Sequence, residues 1–382
     1  MIDYRLGRKE HLSRSKYTQF PLRKSAIELF TDGENLYKDL FDSIRNSTSS
    51  IHVLFYIVKN DKISNEFLSL LSEKAGQGIE VRLFLDYVGS FQLKKKKIRQ
   101  LINSGVIVSR SHKPRLPYLF YTLQARNHRK ITVIDGKIAY LGGFNIGKEY
   151  LGLDPKFGFW RDYHLKVEGE GAFDLQQQFL KDWYDSTGVN DLDFSKYQPP
   201  LKKGSIEQMF ISTYGEHLQD HFKTFIRNAK HEIIICSPYF IPGREILNEL
   251  LNALSNGVQV KIMVPMKPDH PLVMEASFPY FDKLLVAGCE IYRFYYGFYH
   301  AKVIVIDDNI CDIGTANFDK RSMYLNDEMN CLIYDREFIQ KVKTDIYKDF
   351  QHSKLLTYEA YKNRPIGQRG REILATIVSQ FL

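Results

Sequence analysis

One short pattern occurs twice in this chain. His128-Arg129-Lys130 is followed by Asp135 and His300-Ala301-Lys302 by Asp307, with four residues between Lys and Asp in both copies. An Asn stands seventeen residues beyond each His, at Asn145 and Asn317, and the stretches ITVIDGKIAYLGGFN and VIVIDDNICDIGTAN match in register. A single copy is compatible with chance. Two copies with the same trailing Asn identify a duplicated half-site and constrain the chain to two similar halves.

The duplication extends beyond the motif. Residues 25 to 58 resemble residues 205 to 240, and both stretches read as a strand, a turn, an amphipathic helix and a second strand. NEFLSLLSEKAGQGIEVRLFLD then matches NELLNALSNGVQVKIMVP, each a helix ending near Gly78 or Gly257 before another strand. Strands alternating with helices in each half predict two α/β units with mixed, mainly parallel sheets. The predicted organisation is a basic N-terminal arm (1–24), a first half (25–190), a linker (191–204) containing Pro199-Pro200 and Gly204, a second half (205–360) and an amphipathic tail (361–382).

Spacing within the motif separates its residues by role. Both copies lie in β-branched runs that predict strands, where side chains two apart share a face. His128 therefore projects with Lys130, and His300 with Lys302. Asp135 and Asp307 complete the motif at odd spacing from their His, so they face away and are expected to act structurally behind the site. Asn145 and Asn317 follow Gly142-Gly143 and Gly314-Thr315, small residues that let the backbone turn close to a ligand.

Two imidazoles can divide covalent catalysis, one attacking an electrophile while the other protonates the departing oxygen. Two ammoniums and two carboxamides would surround an oxyanion with donors, which suits a phosphodiester passing through a five-coordinate state. The lysines supply positive charge, so neither a metal nor a cofactor is expected. Four polar residues repeated at fixed spacing on apolar strands are costly to bury without a use.

The net charge of +8 and pI near 9.0 favour an anionic partner, either nucleic acid or an acidic membrane surface. The four cysteines show no CxxC spacing and three of them lie in apolar runs, which predicts buried reduced thiols and a cytosolic exposure. No apolar run approaches the roughly 20 residues that span a bilayer, and the polar, basic N-terminus carries no signal-peptide pattern.

The paired HxKx4D motifs with their Gly-Gly/Thr-x-Asn tails resemble the phospholipase D superfamily. NHRKITVIDGKIAYLGGFNIGKEYLG and FGFWRDYHLKVEGEGAFDLQ are similar to the first half of bacterial cardiolipin synthases; SPYFIPGREI, VPMKPDHPLV and GFYHAKVIVIDDNICDIGTANFDKRSMYLNDEMN are similar to the second. The resemblance runs from about residue 25 to 360. It implies two duplicated α/β/α halves packed face to face around one shared active site. It also implies phosphatidyl transfer between two phosphatidylglycerol molecules through a phosphatidyl-histidine, giving cardiolipin and glycerol. His128 is then the nucleophile and His300 the acid and base, with Lys130, Lys302, Asn145 and Asn317 on the phosphate oxygens. A carboxylate downstream of each His orients its ring, and Asp162 and Glu328 occupy the matching positions; Glu149, close to Asn145, competes with Asp162.

The implied partners are phosphatidylglycerol and an anionic membrane surface, with no nucleic acid and no obligate protein partner. The alternative within the same superfamily is a phosphodiesterase that uses water on phospholipid or nucleic acid, and in another class a non-catalytic membrane-binding scaffold. Many cardiolipin synthases begin with transmembrane helices, so this chain is expected at the cell membrane as a peripheral or separately anchored form with its site on the cytoplasmic side. The first half carries about seven extra residues between Gly78 and His128 relative to Gly257 and His300, mostly within 112–130. This stretch interleaves Lys113, Arg115, Arg126 and Arg129 with Tyr118, Phe120 and Tyr121, and either packs its aromatics on the core or forms an interfacial lip. The N-terminal arm, Lys94 to Lys97 and the terminal REILATIVSQFL are further candidates for membrane attachment.

Overall fold

The computed structural model describes residues 2–15, 17–189, 194–201 and 203–379; parts of the predicted linker (191–193 and 202) and the end of the predicted tail (380–382) lie outside the described residues. The N-terminal arm forms helix α1 (Ile2–Arg14). The first half contains β1 (Arg23–Phe30), α2 (Gly33–Arg45), β2 (Ser50–Phe55), α3 (Lys62–Gly76), β3 (Glu80–Asp86), α4 (Lys95–Asn103), β4 (Ile107–Ser111), α5 (Leu119–Gln124), β5 (Ile131–Ile134), β6 (Ile138–Gly142), β7 (His164–Gly169) and α6 (Glu170–Thr187). The second half contains β8 (Ile206–Tyr214), α7 (Leu218–Asn228), β9 (Glu232–Cys236), α8 (Gly243–Ser255), β10 (Gln259–Pro265), α9 (Val273–Val286), β11 (Glu290–Phe294), β12 (Val303–Ile306), β13 (Ile310–Gly314), β14 (Asp327–Ile333) and α10 (Arg336–Gln351), and helix α11 (Ile366–Val378) follows.

Strand order repeats between the halves: β1-β7-β6-β5-β2-β3-β4 in the first and β8-β14-β13-β12-β9-β10-β11 in the second. The sheets are mixed, but the expectation that they are mainly parallel does not hold. In the large sheet, among the described residues, β2-β3-β4 and β9-β10-β11 run parallel and the other pairings within each half are antiparallel; a separate two-residue pair, Phe240–Ile241 with Phe318–Asp319, is parallel. The parallel pairs of the large sheet are those joined by a crossover helix. The motif strands β5 and β12 instead turn straight back into β6 and β13, and a tight turn can only reverse direction. The two sheets also join edge to edge, since β1 pairs antiparallel with β8 at Ser25↔Ile206, which makes one continuous sheet.

Period-2 alternation sorts the core into layers. Ile131 and Val133 of β5 and Val303 and Val305 of β12 share one cluster with Leu175 and Phe179 of α6 and Ile339 and Val342 of α10. On the opposite faces, Ile134 packs with the outer helices of the first half, and Ile304 and Ile306 with those of the second. Each fully buried side chain of this size contributes roughly 1.5–3 kcal/mol. The shared central cluster therefore holds the halves together as one unit and fixes where the ends of β5 and β12 meet. All four cysteines are free and buried.

Candidate functional site

His128 and His300 stand just before β5 and β12, and each is anchored to the other half of the molecule. The His128 backbone N–H donates to the Asp327 carbonyl (2.9 Å), and the His300 N–H donates to the Arg161 carbonyl (2.7 Å). Gly297–Tyr299 pairs in parallel with Phe159–Arg161, and Asn127 bridges to Asp327. These contacts place the residue after Asp327 against His128 and the residue after Arg161 against His300. Nδ1 of His128 lies 2.9 Å from Glu328, and Nδ1 of His300 lies 2.5 Å from Asp162. Asp162 and Glu328 thus each contact an imidazole, but crossed: each lies against the His of the opposite half, not the one upstream of it. Glu149 pairs with Lys59 at 3.3 Å and takes no part.

The two carboxylates are held differently. Glu328 also accepts from the hydroxyls of Thr315 (2.6 Å) and Ser322 (2.8 Å). Asp162 accepts from the Tyr163 N–H (2.8 Å) and sits so close to Gly143 that a Cβ there would fall 1.9 Å from its Oδ1. Gly143 and Thr315 occupy equivalent positions in the repeat. In one half the short Asp needs the space, whereas in the other the hydroxyl is used to hold the longer Glu.

Lys130 and Lys302 are buried beside the histidines, as the strand spacing predicts. Lys130 Nζ donates to the His128 carbonyl at 2.7 Å, and Lys302 Nζ lies 2.8 Å from Nδ1 and 3.2 Å from Nε2 of His300. Burial lowers the His128 pKa to about 4, outweighing the opposite pull of Glu328; for His300 burial and then Lys302 lower it to about 4. Burial likewise brings Lys130 down to about 7 and Lys302 to about 8, and repulsion between the two ammoniums contributes at Lys130. The four groups are thus held in a buried cradle where charge is costly. A bound phosphodiester would restore the lysines to their charged form.

Asp135 and Asp307, grouped with the catalytic set in the motif, do not reach the imidazoles. Asp135 accepts from the N–H groups of Thr48, Ser49 and Ser50, and Asp307 from those of Lys230, His231 and Glu232. Each caps the start of the neighbouring strand, β2 or β9, from the far end of its own. The positive φ of 53° and 52° that aims them there is better tolerated by Asp than by most residues. Asn145 accepts from the Ile57 N–H and donates to the Tyr150 hydroxyl, which leaves it one amide hydrogen. The buried Oδ1 of Asn317 has no hydrogen bond.

Several site residues carry no signal in the repeat. Tyr56 stands edge-on to His128, with ring centroids 4.9 Å apart, and Trp160 lies 5.0 Å from His300. Arg129, fully buried where the second half has Ala301, forks onto Asp182 and donates to the Glu328 carbonyl at 3.1 Å. The position of Trp160 two residues before Asp162 was the one available clue. The stretch 112–130 combines its two readings, with Tyr121 packed inward and Phe120 exposed. Sixteen residues lie between Ser111 and His128, against five between Phe294 and His300, and the additional length forms α5. Tyr121 is buried against Tyr4 of α1, Tyr118 is half-buried, and among the three aromatics only Phe120 is exposed. Gly7 permits this contact, since a Cβ there would meet Tyr121 at 2.6 Å.

A family model described as "Cardiolipin synthase, PLD-like domain" matches residues 40–183 and 222–350. The chain is 45% identical over 382 residues to the minor cardiolipin synthase ClsB of Bacillus subtilis, covering 100% of this chain and 96% of the relative. It is 38% identical to a cardiolipin synthase of Staphylococcus aureus, covering 93% of this chain and 73% of that one. Among solved structures, a phosphatidylserine synthase of Haemophilus influenzae superimposes with a TM-score of 0.73 over 98% of this chain and 100% of that one; at 17% identity this likeness concerns the fold.

Proposed function

The chain belongs to the phospholipase D-like cardiolipin synthase family, and from that premise we propose that it makes cardiolipin by phosphatidyl transfer between two phosphatidylglycerol molecules. The observation that carries this reading is the crossed pair of imidazoles. Each is held at Nδ1 by a buried carboxylate, so that Nε2 is the nitrogen available for chemistry.

In the proposed cycle, Nε2 of His128 attacks the phosphorus of the first phosphatidylglycerol. As the P–O bond to glycerol breaks, His300, protonated once the negative charge of the bound phosphodiester has raised its pKa, gives its proton to the leaving oxygen and glycerol departs. His300, now neutral, takes a proton from the terminal hydroxyl of the second phosphatidylglycerol. That oxygen attacks phosphorus, the P–N bond breaks, and cardiolipin and the starting enzyme result. Lys130 and Lys302, with the remaining amide donors of Asn145 and Asn317, balance the charge that builds on the phosphate oxygens.

Access from a membrane surface suits the segment leading into His128. Ile2 and Leu6 of α1, Leu116, and Leu119, Phe120 and Leu123 of α5 are exposed, and so are the cations Arg5, Lys9, Lys113 and Arg115 around them. Apolar side chains rimmed by cations suit peripheral attachment to anionic lipid. Among the described residues no helix is long and apolar enough to cross a membrane.

The test is incubation of the purified protein with phosphatidylglycerol vesicles and identification of the products by mass spectrometry. Cardiolipin with equimolar glycerol is expected. Phosphatidic acid alone would make water the acceptor, and absence of any lipid product would overturn the substrate class. Radiolabelled phosphatidyl group should accumulate on His300→Asn and not on His128→Asn; the reverse would exchange their roles.

A further inference from the structure

Behind His128, a second cluster of ligating side chains converges from three separate segments. His11 comes from α1, His112 from the end of β4, and Asp327 from the start of β14. Nε2 of His11 lies 3.4 Å from Oδ1 of Asp327, and Nε2 of His112 lies 3.2 Å from Oδ2. One ligand atom from each residue falls within 4.8 Å of the other two.

Two features of this cluster call for a shared partner. Asp327 is only 3% exposed, and its Oδ1, like Nε2 of His112, is shut off from solvent without a well-aligned hydrogen bond. Buried polar atoms are costly to leave without a well-aligned partner. Arg129, the nearest guanidinium, is also shared: it approaches Asp327 at 3.6 Å but lies closer, at 2.9 Å, to Asp182. A cavity of about 520 Å³, lined further by Glu10, Asn127 and Tyr214, opens onto the three side chains.

We propose that His11, His112 and Asp327 bind a divalent transition-metal ion of the zinc type. Two imidazoles and one carboxylate form a nitrogen–oxygen donor set that suits such an ion, with further coordination open toward the cavity. The ion acts as a clasp and not as a reactant. It joins α1 to the strand whose Asp327 carbonyl holds the His128 N–H and whose next residue, Glu328, orients the His128 ring. Without the ion the three side chains can associate only as ion pairs. The site is separate from the phosphatidyl-transfer reading and stands or falls independently of it.

The test uses the full chain without lipid, stripped with chelator and desalted. Zn²⁺ is titrated calorimetrically, and Co²⁺ is followed by its visible absorption. One saturable equivalent is expected, with a Zn²⁺-dependent rise in the thermal midpoint. His11→Asn and His112→Asn should each weaken binding at least about tenfold, since even outer-shell changes have effects of that size. His300→Asn should leave binding unchanged. His11 lies on a surface helix, so this variant decides the question if His112→Asn does not fold. No saturable binding, or binding that persists in the His11→Asn/His112→Asn double variant, would overturn the proposal and leave an ion-paired contact.

Discussion

Glu328, in the second half of the chain, holds the ring of His128 in the first half at 2.9 Å, and Asp162 holds His300 of the second at 2.5 Å in return. Neither imidazole takes its Nδ1 partner from its own half, so the placement of each ring depends on the interface. Glu328→Gln and Asp162→Asn preserve size but remove the charge that fixes the tautomer and stabilises imidazolium. Each should lower kcat by about two to four orders of magnitude with little change in KM. Steady-state kinetics on phosphatidylglycerol vesicles checks this, and an unaffected kcat would mean that the crossed carboxylates are not used.

Gly143 tests the same relationship from the other side. In Gly143→Ala the new methyl group would fall within 2 Å of Asp162. The carboxylate must then move away from His300, and activity should fall at least tenfold while the thermal midpoint drops only modestly. Thr315→Val, at the equivalent position, removes the hydrogen bond to Glu328 and the acceptor of the Met329 N–H, but it introduces no clash and should have the smaller effect on activity, with about 1–3 kcal/mol of lost stability.

Asp307→Ala should behave as a stability mutant. It strips acceptors from three backbone N–H groups and leaves Ala at φ 52°. The expected destabilisation is about 2–4 kcal/mol in urea unfolding, with per-molecule activity of the folded fraction retained. Asp307→Asn, which tolerates the same φ and keeps one carbonyl, should recover part of the loss.

His164 predicts an acid-sensitive stability. It is buried beside the site and burial lowers its pKa to about 3. The unfolded chain binds a proton at this residue below about pH 6.5, whereas the folded protein does not until about pH 3. Between those values the unfolded state holds the extra proton, so stability falls as pH falls, by up to about 1.4 kcal/mol per pH unit. Comparing urea midpoints from pH 7 to 4 in the wild type and His164→Asn should show a shallower decline in the variant.

The exposed apolar face offers a last test. Leu116→Asp with Phe120→Asp removes two side chains that are 79% and 44% exposed and make little contribution to the core. Sedimentation with phosphatidylglycerol vesicles should show binding weakened on the order of tenfold, with an unchanged thermal midpoint. Equal binding by the variant would place the membrane contact elsewhere.

Much of this protein can be read from its sequence because it is repeated. The register of His128, Lys130 and Asn145 against His300, Lys302 and Asn317 identifies the half-sites, and the two-residue spacing puts each Lys beside its His. The odd spacing of Asp135 and Asp307 turns them away, and the capped β2 and β9 backbones are where they go. Helix–strand alternation gives the α/β class, whereas the antiparallel majority of the sheet follows from the tight β5–β6 and β12–β13 turns.

What only the tertiary structure decided is partnership. Periodicity is a local property and reports which face a residue takes, not what lies opposite that face. The crossing of Asp162 to His300 and Glu328 to His128, the burial of Tyr121 under α1, and the approach of Tyr56, Trp160 and Arg129 all depend on how two halves pack across one shared core. The gathering of His11, His112 and Asp327 has the same origin: residues separated by about one hundred to three hundred positions share no spacing rule, and only the folded chain brings them within ligand distance of one another.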